Sequence, residues 1–352
     1  MFKRTITFIR KHRQHLPTVA IFSGFIWDSL TLGRPDQLYS NLVMLAYLFI
    51  AGSCIIFMAQ REETGAPQSL WAQTLTQFSF GNLASGLLVL YMGSATLIGN
   101  WPFLLILLAL LIGNEFVKNR HQRIRFSVAV YYLLILAYLI VLIPVLTRTV
   151  ASWTFLVSAF ASLVVVVGYL AIIRKIARRV YDEDRRLLVR SVLAIVVTFS
   201  FLYYANLIPP VPLSAREVGI YHSVTRTELG YEVMYEKHWY EFWKNSDSTI
   251  HAKTPVAVGC FSSVFAPADI TIPIQHVWDE YNPRAREWEV REVFDFPVAG
   301  GREEGYRGYS IKRVEVGKWR CSVETNRGAL LGRAAVNVEY SEDKYPLVVE
   351  SR

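Results

Sequence analysis

An acid stands inside an apolar run at Asp28, within FIWDSLTLGRPD over residues 25–36, and Arg34 and Asp36 follow it closely. A carboxylate facing lipid costs a few kcal/mol at mid-membrane, so intramembrane acids usually face a bundle interior or water and often mark an ion or substrate pathway. Two chemistries fit: binding or proton handling at Asp28, or a structural salt bridge to Arg34. In the topology derived below, Asn100, Arg148, Tyr203 and Asn206 fall at the same level and complete a candidate outer-face polar cluster. A second candidate surface lies in GGREEGYRGYS, where Tyr306, Arg307 and Tyr309 on a glycine-rich loop suit a glycan, a peptide or an anionic head group. Ordinary packing of a hairpin turn is the competing reading. His276 is weighed with them, although its period-two relation to Trp278 is also that of a core or edge histidine. Catalytic signatures are missing: there is no HExxH, G-x-S-x-G, G-x-x-x-x-G-K or CxxC, and the histidines at 222, 238, 251 and 276 show no close metal-ligand spacing. The sequence points to no metal and no cofactor, and it favours a non-enzyme while leaving open an enzyme whose groups converge only in three dimensions.

These residues are positioned by two unlike halves. Of the 352 residues, 53% are hydrophobic. Up to residue 207 there are 19 Lys/Arg and 8 Asp/Glu, a net +11; from 208 onward there are 18 and 21, a net −3. The overall +8 is therefore not a nucleic-acid footprint, because the excess cations belong to the apolar half, where they flank hydrophobic runs. Seven candidate spans, each near the ~20 residues that cross a hydrocarbon core of roughly 30 Å, lie near 16–33, 38–60, 76–96, 100–117, 126–147, 153–173 and 189–207. The basic leader before the first resembles a signal peptide but lacks a small-residue cleavage site, so it reads as an uncleaved helix. With a cytoplasmic N-terminus, seventeen Lys/Arg fall in inside segments and two, Arg34 and Arg148, fall outside. That bias sends residues 208–352 across the membrane. It also makes 174–188 an inside loop and places Asp28 about 7 Å from the outer boundary at 1.5 Å per residue.

LIPPVPLS ends the last span, because consecutive prolines remove amide donors and hold the chain extended. Residues 208–214 read as a stalk and 215–352 as an all-β, immunoglobulin-like two-sheet sandwich, with strands near 216–223, 229–236, 255–264, 270–278 and 288–296. A β-meander of three alternating runs follows, turning at Val-Gly-Lys and Asn-Arg-Gly. KHWYEFWKN puts Trp239, Phe242 and Trp243 on one face of a short helix that packs on the sandwich or lies on the bilayer. Cys260 and Cys321 each alternate with core-type neighbours, so both thiols point inward. They are a candidate disulfide or two buried thiols, and spacing does not choose between these. Cys54 is a small buried residue of the second span.

GCFSSVFAPADITIPIQHVW and GYRGYSIKRVEVGKWRCSVETNRGALLGRAAVNV resemble a bacterial C-terminal domain family of unknown function, often attached to a multi-span membrane region. The resemblance covers roughly residues 215–340 and rests on His276 with Trp278, the run from Gly305 to Ser310, Gly317 with Trp319, and Gly328. Cys321 departs from it, standing where the family would carry a plain apolar residue. The resemblance implies a bacterial inner-membrane protein and brings no activity. Two functions follow as expectations. In the first, a membrane-anchored envelope protein binds a periplasmic protein, glycan or lipid part through its sandwich, with the bilayer as its other partner. In the second, a transporter or membrane-embedded enzyme opens outward near Asp28 and Arg34, with the sandwich as lid or adaptor.

Overall fold

Long Leu-, Ile- and Ala-rich runs build the first part of the chain into helices, with Pro102 and Pro144 carried inside two of them. The structure, a computed structural model, describes residues 36–352 except residues 68, 114–119, 229, 237–245, 267–270, 300–304 and 344. Six helices occur among the described residues: α1 (Leu38–Glu63), α2 (Leu70–Met92), α3 (Leu97–Gly113), α4 (Arg120–Thr147), α5 (Ser152–Ile176) and α6 (Arg178–Tyr204). They coincide with the second to seventh expected spans. The first expected span, and with it Asp28 and Arg34, lies outside the described residues. Seven spanning helices is therefore more than the structure supports: α1, α5, α6 and residues 124–147 of α4 are long and apolar enough to cross a membrane. Helix α2 is diluted by Gln73, Thr74, Thr76, Gln77, Ser79 and Asn82, and α3 has only 17 residues. The expected loop at 174–188 is also corrected, because only Ala177 breaks the helical backbone between α5 and α6. RRVYDEDRRLLVRSV contains no Gly or Pro and buries Val180, Asp184, Leu188 and Val192 at a spacing of four, which is a helix stripe despite its charge.

Two helices end in Schellman motifs. After α1, Gly65 takes φ 69°, and the amides of Gly65 and Ala66 donate to the carbonyls of Glu62 and Arg61. After α6, Asn206 takes φ 55°, and the amides of Asn206 and Leu207 donate to Tyr203 and Leu202. Asn206→Gly is accordingly expected to leave thermal stability unchanged within about 0.5 kcal/mol, whereas Asn206→Val, β-branched in a left-handed position, is expected to cost about 1–2 kcal/mol. Equal melting shifts in the two variants would contradict this assignment. Between helices, tyrosine hydroxyls satisfy backbone carbonyls: Tyr91 to Ala137 at 2.8 Å and Tyr169 to Gly52 at 2.9 Å. Gly52 is needed there, since a Cβ would lie 2.5 Å from the Tyr131 hydroxyl.

The chain divides into two units. The first holds the helices; the second holds residues 212–352 together with residues 94–99 and 148–150. Among the described residues, eleven strands form the second unit: β1 (Ser214–Tyr221), β2 (Ser223–Thr227), β3 (Gly230–Glu236), β4 (Thr249–Ala252), β5 (Val256–Phe265), β6 (Thr271–Asn282), β7 (Glu287–Ala299), β8 (Tyr306–Val314), β9 (Gly317–Thr325), β10 (Leu330–Tyr340) and β11 (Leu347–Ser351). They pair in three sheets, ordered β1-β5-β8, β4-β10-β9-β6-β7 and β11-β3-β2. The five-stranded sheet and the β1-β5-β8 sheet enclose a core of Ile220, Val258, Cys260, Trp278, Trp319, Cys321 and Val338, as a sandwich does. The third sheet covers the other face of β5, where Phe261 packs with Tyr221, Val224, Val233 and Tyr235. Gly259 allows this approach, because a Cβ there would lie 2.5 Å from Val224. Strand β5 is thus buried on both faces, and the two-sheet expectation is extended to three.

The expected meander is corrected too. Strands β9 and β10 do form a hairpin, but β8 pairs antiparallel with β5 in the opposite sheet. Alternation reveals a strand and its two faces; it carries no information on which strand lies alongside.

Candidate functional site

In the helical unit, the Asn100 amide donates to the Leu207 carbonyl at 3.0 Å, and the Tyr203 hydroxyl donates to Ala151 at 3.3 Å while its ring stacks on Phe155 at 3.9 Å. Asn206 is the helix cap described above. These three residues close helix ends. Asp36 lies in the turn before α1, and Arg148, with φ 54° after α4, groups with the second unit.

The second candidate surface is dispersed by strand alternation. Tyr306, Arg307 and Tyr309 lie on β8 itself. Tyr306 packs inward beside Val264 and Ile274, whereas Arg307 and Tyr309 occupy the other face. There Tyr309 meets Tyr231 edge-on at 5.7 Å, and the Tyr231 hydroxyl donates to the Arg307 carbonyl at 3.4 Å. His276 is fully buried, so it belongs to no surface. Its Nε2 lies 2.8 Å from the Ser262 hydroxyl and its Nδ1 lies 2.9 Å from that of Ser310, which also accepts Trp278 Nε1–H at 2.9 Å. Either neutral tautomer satisfies this chain, because each serine both donates and accepts. Burial pushes the His276 pKa down to about 3.

Cys260 and Cys321 are bonded, with Cα atoms 6.4 Å apart, and join the two sheets of the sandwich. The sulfurs and an imidazole nitrogen of His276 lie within 4.8 Å of one another. With the sulfurs joined and both ring nitrogens bonded to serines, this group acts as a cross-link rather than a metal centre. A buried Trp beside an intersheet disulfide is a packing that immunoglobulin-type sandwiches share.

Sequence reasoning missed a carboxylate clasp. Glu236, buried at the end of β3, accepts His222 Nε2–H at 2.6 Å on one oxygen and His251 Nδ1–H at 2.7 Å on the other, and the His251 amide donates at 2.7 Å. Asp247, also buried, accepts the amides of His222 at 2.9 Å and Glu236 at 2.7 Å. Outside these, Glu339 lies 3.7 Å from His251 Nε2, and Tyr345 stacks on the His251 ring at 4.1 Å. Burial alone would raise the Glu236 pKa, but the His251 and His222 hydrogen bonds outweigh it and hold the carboxyl below its ordinary range. The clasp ties the β1-to-β2 connection, β3 and β4, and so all three sheets.

The best candidate for binding is the outer face of the five-stranded sheet. Lys318 and Arg320 alternate with buried Trp319 and Cys321 on β9; Asp279 and Tyr281 sit on β6, and Trp288 on β7. Register places Asp279 beside Arg320 and Tyr281 beside Trp288. Arg320 bonds Asp279 at 2.5 Å and lies 4.4 Å from the Trp288 ring centroid; Tyr281 meets Trp288 at 5.2 Å, and Lys318 lies over Tyr281 at 5.9 Å. Val290 and Val293 beside this row are exposed. The row presents flat apolar rings edged by fixed charges, a combination that stacks on and hydrogen-bonds to a ring-bearing ligand. Its sequence signal was available: charged and aromatic residues at period two opposite a core-facing set.

An apolar helical unit joined to a disulfide-closed β-sandwich with an added third sheet is the class of protein that fold and site define. Residues 273–338, from β6 into β10, match a family described as a protein of unknown function (DUF2914). No curated protein matches the chain. Among solved structures, it is similar to an immunoglobulin-like protein from Pseudomonas aeruginosa, with 11% identity over 37% of this chain and 98% of that one at a TM-score of 0.23. It is also similar to the alkylpurine DNA glycosylase AlkC from Pseudomonas fluorescens bound to DNA containing an abasic site analogue, with 8% identity over 87% and 100% at a TM-score of 0.23. At these scores neither carries an argument; the sandwich rests on its own sheet topology.

Proposed function

We propose that the protein is a multi-pass bacterial inner-membrane protein with a cytoplasmic N-terminus and seven spans, whose periplasmic β unit binds a protein, glycan or lipid part of the cell envelope. The observation that carries the reading is a pairing: four long helices that expose broad apolar faces, as at Phe49, Phe160 and Val197, with a β domain cross-linked by a disulfide. Such faces suit lipid, and such bonds persist in oxidising compartments. The seventeen-to-two distribution of cations supports the orientation. The reading of a transporter or membrane-embedded enzyme near Asp28 and Arg34 has less support, because Asn100, Tyr203 and Asn206 are engaged at helix ends.

Among partner classes the Tyr281–Trp288 row favours a glycan. Detergent-solubilised full-length protein applied to an array of bacterial envelope glycans is expected to bind, and Trp288→Ala is expected to weaken that binding about 30-fold, the scale of an aromatic hot spot. No binding by the wild-type protein, or equal binding by the variant, overturns the glycan assignment. A phosphatase fused after residue 352 tests the orientation separately: it is expected to be active, as only an exported fusion can be.

A further inference from the structure

Helix α6 changes character along its length as well as around it. One stripe, Val180, Asp184, Leu188, Val192, Phe199 and Leu202, is buried. On another, Arg186 and Arg190 are followed at helical spacing by Leu193, Val197 and Phe201. Both arginines are exposed, and the three apolar residues expose 54%, 64% and 67% of their surface. One continuous helix face is thus cationic for one turn and apolar for the next three. From Arg190 to Phe201 it runs about 16 Å at 1.5 Å per residue, close to the ~15 Å thickness of one hydrocarbon leaflet.

The neighbouring acids are mostly engaged elsewhere. Glu63 of α1 caps the start of α6, its two oxygens accepting the amides of Arg179 and Val180 at 3.2 and 3.1 Å. Asp184 is buried against Arg125 at 2.6 Å, and Asp182 lies 3.7 Å from Arg178. Arg179 donates to the Glu62 carbonyl at 2.8 Å. Glu183 is an exposed anion on the same turn, but Arg185, Arg186 and Arg190 outnumber it. Among the described residues, neither Arg186 nor Arg190 has an ion-pair partner.

Given the membrane reading above, on which this rests, we infer that α6 carries a binding site for one anionic phospholipid. Arg186 and Arg190 hold the head-group phosphate, and Leu193, Val197 and Phe201 line the acyl chain. Arginine suits the first task because its planar donors match phosphate oxygens. Charge complementarity at one end and a leaflet-length apolar stripe at the other identify a lipid, since a free phosphate uses only the first.

The full-length protein in neutral detergent is titrated with phosphatidylglycerol, phosphatidylcholine and inorganic phosphate, and bound ligand is counted by native mass spectrometry. Saturable binding of phosphatidylglycerol is expected. At about fivefold per arginine near a membrane surface, the Arg186→Gln/Arg190→Gln pair is expected to lose about 30-fold in affinity. The Arg186→Lys/Arg190→Lys pair, which keeps both charges, is expected to retain binding within a few fold and so separates charge from misfolding. Equal affinity for phosphatidylcholine, or an unchanged glutamine pair, overturns the site; inorganic phosphate binding as tightly as phosphatidylglycerol overturns the lipid as occupant. Failure of the membrane reading looks different: the expressed chain would stay in the supernatant when membranes are sedimented.

Discussion

Lowering the pH from about 6.5 to about 5 is expected to weaken the β unit by about 1 kcal/mol per pH unit, and His276→Gln is expected to flatten that slope. Burial between Ser262 and Ser310 pushes the folded pKa of His276 to about 3, whereas the unfolded imidazole titrates near its usual ~6.5. Between these values the unfolded chain binds the additional proton, so stability rises with pH and is lost on acidification. Glu236 acts in the same direction lower down. Its folded pKa is depressed, so the stability it lends is present above the ordinary carboxylate range and is lost as pH falls through the folded value. A wild-type slope that steepens again below about pH 4.5 is its signature. The readout is the urea midpoint by pulse proteolysis of full-length protein at each pH. A His276→Gln slope as steep as the wild-type one between pH 6.5 and 5 would show that the histidine is not held neutral.

Removing the Cys260–Cys321 bond is expected to cost about 4 kcal/mol. The bond closes a loop of 61 residues, and the entropy it removes from the unfolded chain grows with the logarithm of loop length. Against a total stability of about 5–15 kcal/mol for an ordinary domain, that is a large share. The Cys260→Ala/Cys321→Ala pair keeps both positions small and apolar, which the surrounding core of Trp278, Trp319 and Val258 requires. Its urea midpoint should fall to that of the wild-type protein in reductant. Identical wild-type midpoints with and without reductant would falsify the contribution of the cross-link.

The sequence made the helices legible because hydropathy and length report directly on a helix that buries little of its surface. It failed at the start of α6, where the buried stripe from Val180 to Val192 runs through a highly charged segment and window-averaged hydropathy cancels. Strands were legible by alternation, and the same alternation already separated Tyr306 from Arg307 and Tyr309; the flanking glycines suggested a loop instead. Partner choice was not legible, so β8 was assigned to the wrong sheet and β11, the outer strand of the third sheet, went unassigned. The Glu236 clasp was hidden for a related reason: its four residues lie on separate segments between positions 222 and 251, and three-dimensional pairing alone brings them together. The Trp288 row escaped because its members lie on three strands.

Strand β5, enclosed on both faces, has a consequence for the order in which the domain can be assembled. Its neighbours arrive from far apart in the chain: β1 precedes it, β8 follows by some fifty residues, and Cys321 on β9 lies 61 residues beyond Cys260. The layer above it is finished only when β11 reaches β3. Early in synthesis, therefore, the most apolar strand of the β unit has emerged while the walls that cover it have not. Pairings this distant in sequence make for slow closure and long exposure of bare strand edges. The period between emergence and closure is when this protein is most vulnerable to aggregation and most in need of a holding partner.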